Sequence, residues 1–497
     1  MYRKVDNPPT PPSQFELPFE GKLSQDNRWV IMAELVPWSE FEAEYAENFT
    51  SEMGAPALPF RMALGSLIIK EKLGTSDRET VEQIKENPYL QYFIGKKEYS
   101  NEAPFDPSLL VKFRERIYVE LVQKINQRMV EKSQSEIESS SKKKAPDSEK
   151  KETREESNKG KLILDATCAP ADITYPNDLG LLNQARITIE KIIDILYKPL
   201  KEQIEKKPKT YRNLARKNYL KVAKKRRPSR KEIRKAIRKQ LEYIKRNLGH
   251  IDKLTQTWSG LEALNRAEYK SLLVVAEVYR QQSWMYENKI QRIENRIVSL
   301  SQPHIRPIVR GKAGTPVEFG AKLSVSLRDG YVFLDRIDWN NFNESLDLKA
   351  QVEAFKEARG VYPESVHVDR IYRTRENRAF CKEKGIRISG PPLGRPPAHV
   401  SKEKKRQAQE DERVRNAIEG KFGVAKRRFS LNRVMAKLPH TSQTAIAITF
   451  LVMNLSSLLR QVLGIFLCFK PSLQLFWGQR LIPVIFGGLS RRKAHHF

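Results

Sequence analysis

Hydrophobic and polar positions repeat with two different periods along this chain, and each change of period marks an element. Phe60 to Lys72 reads as a short apolar helix, and Ser76-Asp77-Arg78-Glu79 supplies a capping-box start for a helix through Val81 and Ile84. Far downstream, Phe319, Ala321, Leu323, Val325 and Leu327 alternate with other residues, Asp329-Gly330 is a hairpin turn, and Tyr331-Val332-Phe333-Leu334 resumes as a strand. Leu348, Val352 and Phe355 then recur at helical spacing, with Gly360 just past the helix end. Two further β-rich runs each end in an acid: Leu162-Ile163-Leu164-Asp165 and Val366-His367-Val368-Asp369. The predicted order is a strand with Asp165, a long insert, a hairpin, a helix, a strand with Asp369, a helix, and a later helix with Glu419. That is a mixed-sheet α/β (α+β) class.

The last of these helices carries the sharpest local pattern. From Glu412 to Arg428, positions Arg415, Glu419, Phe422 and Lys426 fall at i, i+4, i+7 and i+11, one helical face on which cations flank Glu419. Ile418, Phe422 and Ala425 form an overlapping apolar stripe able to dock the helix on a sheet. Taken alone, the same pattern describes a solvated helix with i,i+4 charge pairs, and an acid ending a strand equally describes a turn or cap residue. Taken together, Asp165, Asp369 and Glu419 are three hard oxygen ligands on separated elements, a set that can hold paired divalent metals for phosphodiester chemistry.

With these residues placed, the chain resembles a bacterial insertion-sequence transposase of the DDE class, closest to the insertion-sequence-five family. The resemblance rests on Leu164-Asp165-Ala166-Thr167 followed by Asp172-Ile173-Thr174-Tyr175-Pro176-Asn177-Asp178-Leu179. It rests also on Asp369-Arg370-Ile371-Tyr372-Arg373 with Glu376-Asn377-Arg378, and on Arg415, Glu419 and Lys426 at the family's spacing. It covers roughly residues 15–465. One departure is visible: the family often has Tyr three residues before that Arg, where this chain has Glu412. The resemblance implies a ribonuclease-H-like catalytic core in which Asp165, Asp369 and Glu419 are the catalytic acids and bind Mg²⁺, with Mn²⁺ substituting. It further implies cleavage at element ends and strand transfer of the freed 3′-hydroxyl. The partner would be double-stranded DNA, both terminal inverted repeats and target, held by a homodimer. Arg415 and Lys426 would steady phosphates or orient Glu419, with Lys421, Arg427 and Arg428 as outer contacts and Arg310 and Lys312 as further candidates. Two alternatives remain open: a ribonuclease-H-like nuclease without strand transfer, and a non-catalytic DNA-binding protein derived from a transposase.

Charge agrees with a nucleic-acid partner. The 497 residues have a formal net charge of +30, which calls for a polyanion. Residues 201–250 alone hold 20 Lys/Arg against 4 Asp/Glu, centred on Lys224, Lys225, Arg226 and Arg227, with Tyr211, Tyr219 and Tyr243 interleaved. This stretch reads as a helical arm for the DNA backbone, or else as a solvated charged helix pair. Three cysteines without paired spacing and seven scattered histidines leave no zinc or disulfide pattern. The N-terminus has no apolar signal core, so a cytoplasmic, nucleoid-associated protein without a membrane partner is expected.

The boundaries follow from composition. Residues 1–130 are a helical N-terminal domain for DNA binding, through a helix-turn-helix about Leu73-Gly74-Thr75, or for dimerisation. Residues 131–160, rich in Ser, Lys and Glu, read as a disordered charged linker. The catalytic core is split into 161–184 and 306–470 around the basic helical insert, 185–305. Thr444 to Phe469 is mostly apolar, but Asn454, Ser456, Ser457, Arg460 and Gln461 interrupt it, so it is expected as a buried helix on the sheet and not a membrane span. The tail 471–497 is apolar without clear periodicity.

Overall fold

A computed structural model describes residues 11–17, 21–49, 56–142, 157–257, 261–309, 317–390 and 401–477. Arg310, Lys312 and most of the 471–497 tail lie outside the described residues. Among those residues the chain forms a six-stranded mixed sheet of β1 (Lys161–Pro170), β2 (Arg306–Val309), β3 (Val317–Arg328), β4 (Tyr331–Asp338), β5 (Ser365–His367) and β6 (Arg387–Ile388). β3 lies antiparallel to β1 and carries β2 and β4 along its far edge. On the other side of β1, β5 and then β6 add in parallel.

The two-residue period of a strand sorts the side chains onto two faces. Leu162, Leu164, Val366 and Val368 are buried with Leu348, Val352 and Phe355 of the Leu348–Arg359 helix. Ile163, Leu323, Val325 and Leu327 belong to the opposite core, with Ile418, Phe422 and Ala425 of the Lys402–Arg428 helix. The β3–β4 hairpin turns at Asp329 and Gly330, both with positive φ (49° and 85°), as a two-residue turn of this hand requires. At the other end of β3, a Cβ on Gly320 would lie 2.0 Å from the Ala169 carbonyl oxygen, so only glycine lets β3 cross β1 there.

Asp165 does not end its strand, as expected, but sits in the middle of it. β1 continues because Ala166 to Pro170 keep pairing with Ser324 to Gly320 of β3, a partner 150 or more residues away that no local pattern announces. Beyond β1, the Asp172–Leu179 motif is taken up in scaffolding. Arg433 binds Asp172 at 2.5 Å, the Asn177 side chain accepts from the Gly180 N–H at 2.7 Å as a helix cap, and Asp178 accepts from Gln282 at 2.9 Å.

The stretch expected as the insert is helical: Asp178–Tyr197, which starts ahead of residue 185, is followed by Arg212–Ala223, Arg230–Thr257 and Arg266–Glu287, and these helices enclose a core including Ile189, Ile193, Ile244 and Val275. The N-terminal region is helical, and its last helix, Val119–Lys142, runs twelve residues into the segment expected as linker. Met129 and Val130, just before that segment, and Ser133, within it, are buried. Residues 143–156 of the expected linker lie outside the described residues.

The apolar C-terminal helix, Pro439–Trp477, packs against β4 and the Val119–Lys142, Leu109–Arg116 and Phe60–Leu73 helices. By length and composition Pro439–Gly464 is the one described helix able to cross a membrane, but most of it is buried in protein. Asn454, the polar break in this helix, lies in its buried face and satisfies β4. It accepts the Val332 N–H at 2.9 Å and donates to the Val332 carbonyl at 2.7 Å and to Asn126 at 3.0 Å.

Candidate active site

The parallel ladder between β1 and β5 pairs Lys161 with Ser365, Leu162 with Val366 and Ile163 with His367. Carried two residues further at the same offset, it sets Asp165 opposite Asp369, whose backbone stays extended (φ −74°, ψ 166°). Neighbouring strands lie about 4.8 Å apart. Leu164 and Val368, between these pairs, both face the Leu348–Arg359 helix, so alternation turns both aspartates to the other face, towards the Lys402–Arg428 helix. Asp165 is half-buried and Asp369 exposed at the strand end. In each, Oδ1 accepts the next residue's N–H, from Ala166 at 2.7 Å and from Arg370 at 2.6 Å.

The helix that brings Glu419 is anchored by groups with no local signature. Arg387 of β6 donates to both Asp411 carboxylate oxygens at 2.7 and 3.0 Å, and Gln407 donates to Oδ1 at 3.1 Å. Burial pushes the Asp411 carboxyl up, but the Arg387 and Gln407 bonds outweigh it and hold it below the usual range. His367 of β5 is fully buried, its Nδ1 3.7 Å from Asp411, and burial lowers its pKa, keeping the ring neutral. One turn and more along the helix, Arg415 donates to Glu412 at 2.7 Å and to Glu419 at 3.1 Å. The guanidinium is held firmly charged by its Glu412 bond first, and also by the charges of Glu412, Glu419 and Asp165. Glu412 thereby holds the guanidinium of Arg415 beside Glu419.

The segment after Asp369 is fixed from behind. Asn377 donates to the Tyr372 carbonyl at 2.9 Å and the Ser345 carbonyl at 2.7 Å. The Arg373 guanidinium donates to the Ser389 carbonyl at 2.8 Å. The buried Tyr372 hydroxyl has its pKa raised by burial first and then by nearby carboxylates, Asp165 foremost among them.

The two aspartates thus share one face of the sheet, with Glu419 on the helix that packs there, but the structure does not draw the three to one point. Among the described residues no three Asp, Glu, His or Cys side chains are grouped to hold a metal ion. Glu419, with its side chain 55% exposed, faces Arg415. The donor set still fits a hard divalent cation: two carboxylates at matching strand positions, and a third, solvent-accessible, on the facing helix.

Two family models match the chain. A transposase DDE domain matches residues 366–456, the stretch with Asp369 and Glu419, and a transposase domain (DUF772) matches residues 17–116. These matches support a bacterial DDE-type transposase. Over 88 residues the chain is 36% identical to a Rhizobium meliloti protein described as uncharacterized protein ORF8 in the nfe locus, which is 18% of this chain and 42% of that protein. The chain spans about two-fifths of that relative's length. No solved structure matches.

Within the matched regions the expected cations separate. Lys426 is half-buried and Arg427 exposed, but Lys421 is two residues from Glu419 and lies on the far side of the helix. The helices expected as a helix-turn-helix are present, Phe60–Leu73 and Asp77–Glu86, joined through Gly74 at φ 69°. The second exposes Glu79, Glu82 and Glu86 together with Arg78, a surface of mixed charge with acids in excess, and buries Val81 and Ile84 in the core. In the insert, Lys224, Lys225, Arg226 and Arg227 are all exposed, with Lys225 bound to Glu232 at 2.5 Å.

Proposed function

We propose that this chain is a transposase of the DDE class, of the insertion-sequence-five type, with a ribonuclease-H-like core in which Asp165, Asp369 and Glu419 are the catalytic acids. The alignment of Asp165 with Asp369 across β1 and β5 carries this reading, because two-metal chemistry on a phosphodiester needs carboxylates side by side. The antiparallel β1, β3 and β4 with β5 and β6 added in parallel support the core type. Two Mg²⁺ or Mn²⁺ ions held by these acids would activate the attacking oxygen and stabilise the leaving 3′-oxygen of an in-line displacement.

The chain's own residues do the rest. Glu419, bonded here to Arg415, is the third residue that would hold a cation, and Arg415, held by Glu412, would offer its guanidinium to a phosphate oxygen. Water first breaks the P–O bond at the element end, releasing a 3′-hydroxyl; that hydroxyl then attacks a target phosphodiester, forming one P–O bond as another breaks. The exposed basic segment at Lys224 to Arg227 holds double-stranded DNA by its backbone without choosing sequence. A homodimer in the cytoplasm, at the nucleoid, brings two element ends together.

The test is a strand-transfer assay of the full chain with Mg²⁺ on a labelled duplex containing an element end. The reading expects 3′-hydroxyl ends followed by joined products. Cutting without joining would make the chain a nuclease, and binding without cutting would make it a non-catalytic DNA-binding protein.

A further inference from the structure

Five cations from four separate elements meet on the side of the Lys402–Arg428 helix away from Glu419. Lys421 and Arg428 lie seven residues apart on one face of that helix. Lys72, on the Phe60–Leu73 helix, donates to Ser456 Oγ at 2.6 Å, and Arg460 donates to the carbonyl of the same Ser456 at 3.2 Å and to Ser457 Oγ at 3.3 Å. Ser430, two residues past Arg428, donates its N–H to Glu71, the neighbour of Lys72, at 2.9 Å. Arg28 heads the Arg28–Leu35 helix, which packs on the same C-terminal helix as Ser456.

None of the five has a carboxylate partner among the described residues. The nearby Glu71 is buried, and its Oε1 accepts from Ser430 and from Thr449 Oγ1 at 2.7 Å. Lys72 and Lys421 are half-buried, while Arg28, Arg428 and Arg460 are exposed. Burial and the like charges of Arg428, Arg28 and Arg460 lower the Lys72 pKa to about 8, and burial with Arg460 lowers that of Lys421. Uncompensated like charges that a fold gathers from four elements weaken it, and an anion seated among them reverses the sign of that interaction.

We propose that Lys72, Lys421, Arg28, Arg428 and Arg460 form a second nucleic-acid site, which takes backbone phosphates of a strand segment other than the one presented to Asp165 and Asp369. An α-helix with its side chains is about 10–12 Å across, so one phosphate cannot reach both faces. The choice of nucleic acid as the polyanion rests on the transposase reading. The site itself rests on the cluster. Because the N-terminal helices supply Lys72 and Arg28, this is also the point at which they contact DNA, in place of the acidic Asp77–Glu86 helix.

The experiment compares the full chain with Lys72→Gln/Lys421→Gln in duplex DNA binding, without metal, at several salt concentrations, and in thermal unfolding without DNA. The expected result is roughly tenfold weaker binding and a salt dependence flatter by about 0.9 per lost contact. The melting temperature should be unchanged or higher, because repulsion has been relieved. Unchanged affinity and slope would overturn the proposal, as would weaker binding that merely tracks a lowered melting temperature. A parent protein that binds DNA but never cleaves it would overturn the transposase reading and leave this result standing.

Discussion

Asp411 grips Arg387 through two hydrogen bonds of 2.7 and 3.0 Å, and that grip fixes the helix carrying Glu419 over the strands carrying Asp165 and Asp369. Arg387→Ala leaves the Asp411 carboxylate largely buried beside a neutral His367. The fold should lose about 1–3 kcal/mol, read by urea unfolding at pH 7. The folded pKa of Asp411 is depressed, so its contribution is present above the ordinary carboxylate range and is lost as pH falls through the folded value. The variant should therefore unfold at a higher pH on acid titration than the parent. An unchanged acid midpoint would show that the pair does not anchor the helix.

Asn454 offers a test of the buried C-terminal helix. Asn454→Leu keeps the helix apolar but leaves the Val332 N–H unpaired in the core and weakens the bonding of its carbonyl. Destabilisation of about 2–4 kcal/mol is expected. A variant as stable as the parent would mean that this helix is not packed on β4.

The Lys72 cluster predicts an unusual pH profile. Between about 8 and the ordinary lysine value of 10.5, the unfolded chain binds a proton at Lys72 that the folded chain does not, so stability rises with pH across that window. Lys72→Met should reduce this rise, leaving the part due to Lys421, measured as melting temperature against pH in DNA-free buffer. A rise that persists undiminished in the variant belongs to other groups.

The basic segment at Lys224 to Arg227 predicts general affinity and not sequence choice. Replacing Lys224, Lys225, Arg226 and Arg227 with Ala should weaken binding to all DNA sequences alike and flatten the salt dependence by about 0.9 per lost phosphate contact. Lys225, already bound to Glu232, should contribute least of the four. Loss of preference for one terminal sequence, with general affinity intact, would show that the arm reads bases.

What the sequence made legible was local. The Asp329-Gly330 turn, the Leu348–Arg359 helix closed by Gly360 at φ 77°, and the strand leading to Asp369 each follow from residues within a few positions. The acids could be picked out because their elements carry clear periods. Asp165 was misplaced within its strand because β1 is extended by β3, a long-range pairing that hydrophobic alternation does not encode. The Asp411–Arg387 anchor joins residues 24 apart through the tertiary fold. The Lys72 cluster draws on residues from 28 to 460, each an ordinary surface cation in its own segment. Lys421 is near Glu419 in sequence, yet two residues along a helix is more than half a turn away.

The central claim is that Asp165, Asp369 and Glu419 perform the chemistry and do not merely hold DNA or the fold. Asp165→Asn, Asp369→Asn and Glu419→Gln keep side-chain size and remove the charge a divalent cation requires. The decisive measurement is turnover of a labelled element-end duplex with Mg²⁺ or Mn²⁺ for each variant, alongside gel-shift binding of the same duplex in metal-free buffer. The prediction is parental binding with cleavage and strand joining both lost, by at least about a thousandfold. Near-parental cleavage by any one variant would remove that residue from the site, and loss of cleavage that only follows loss of binding would contradict the assignment of all three.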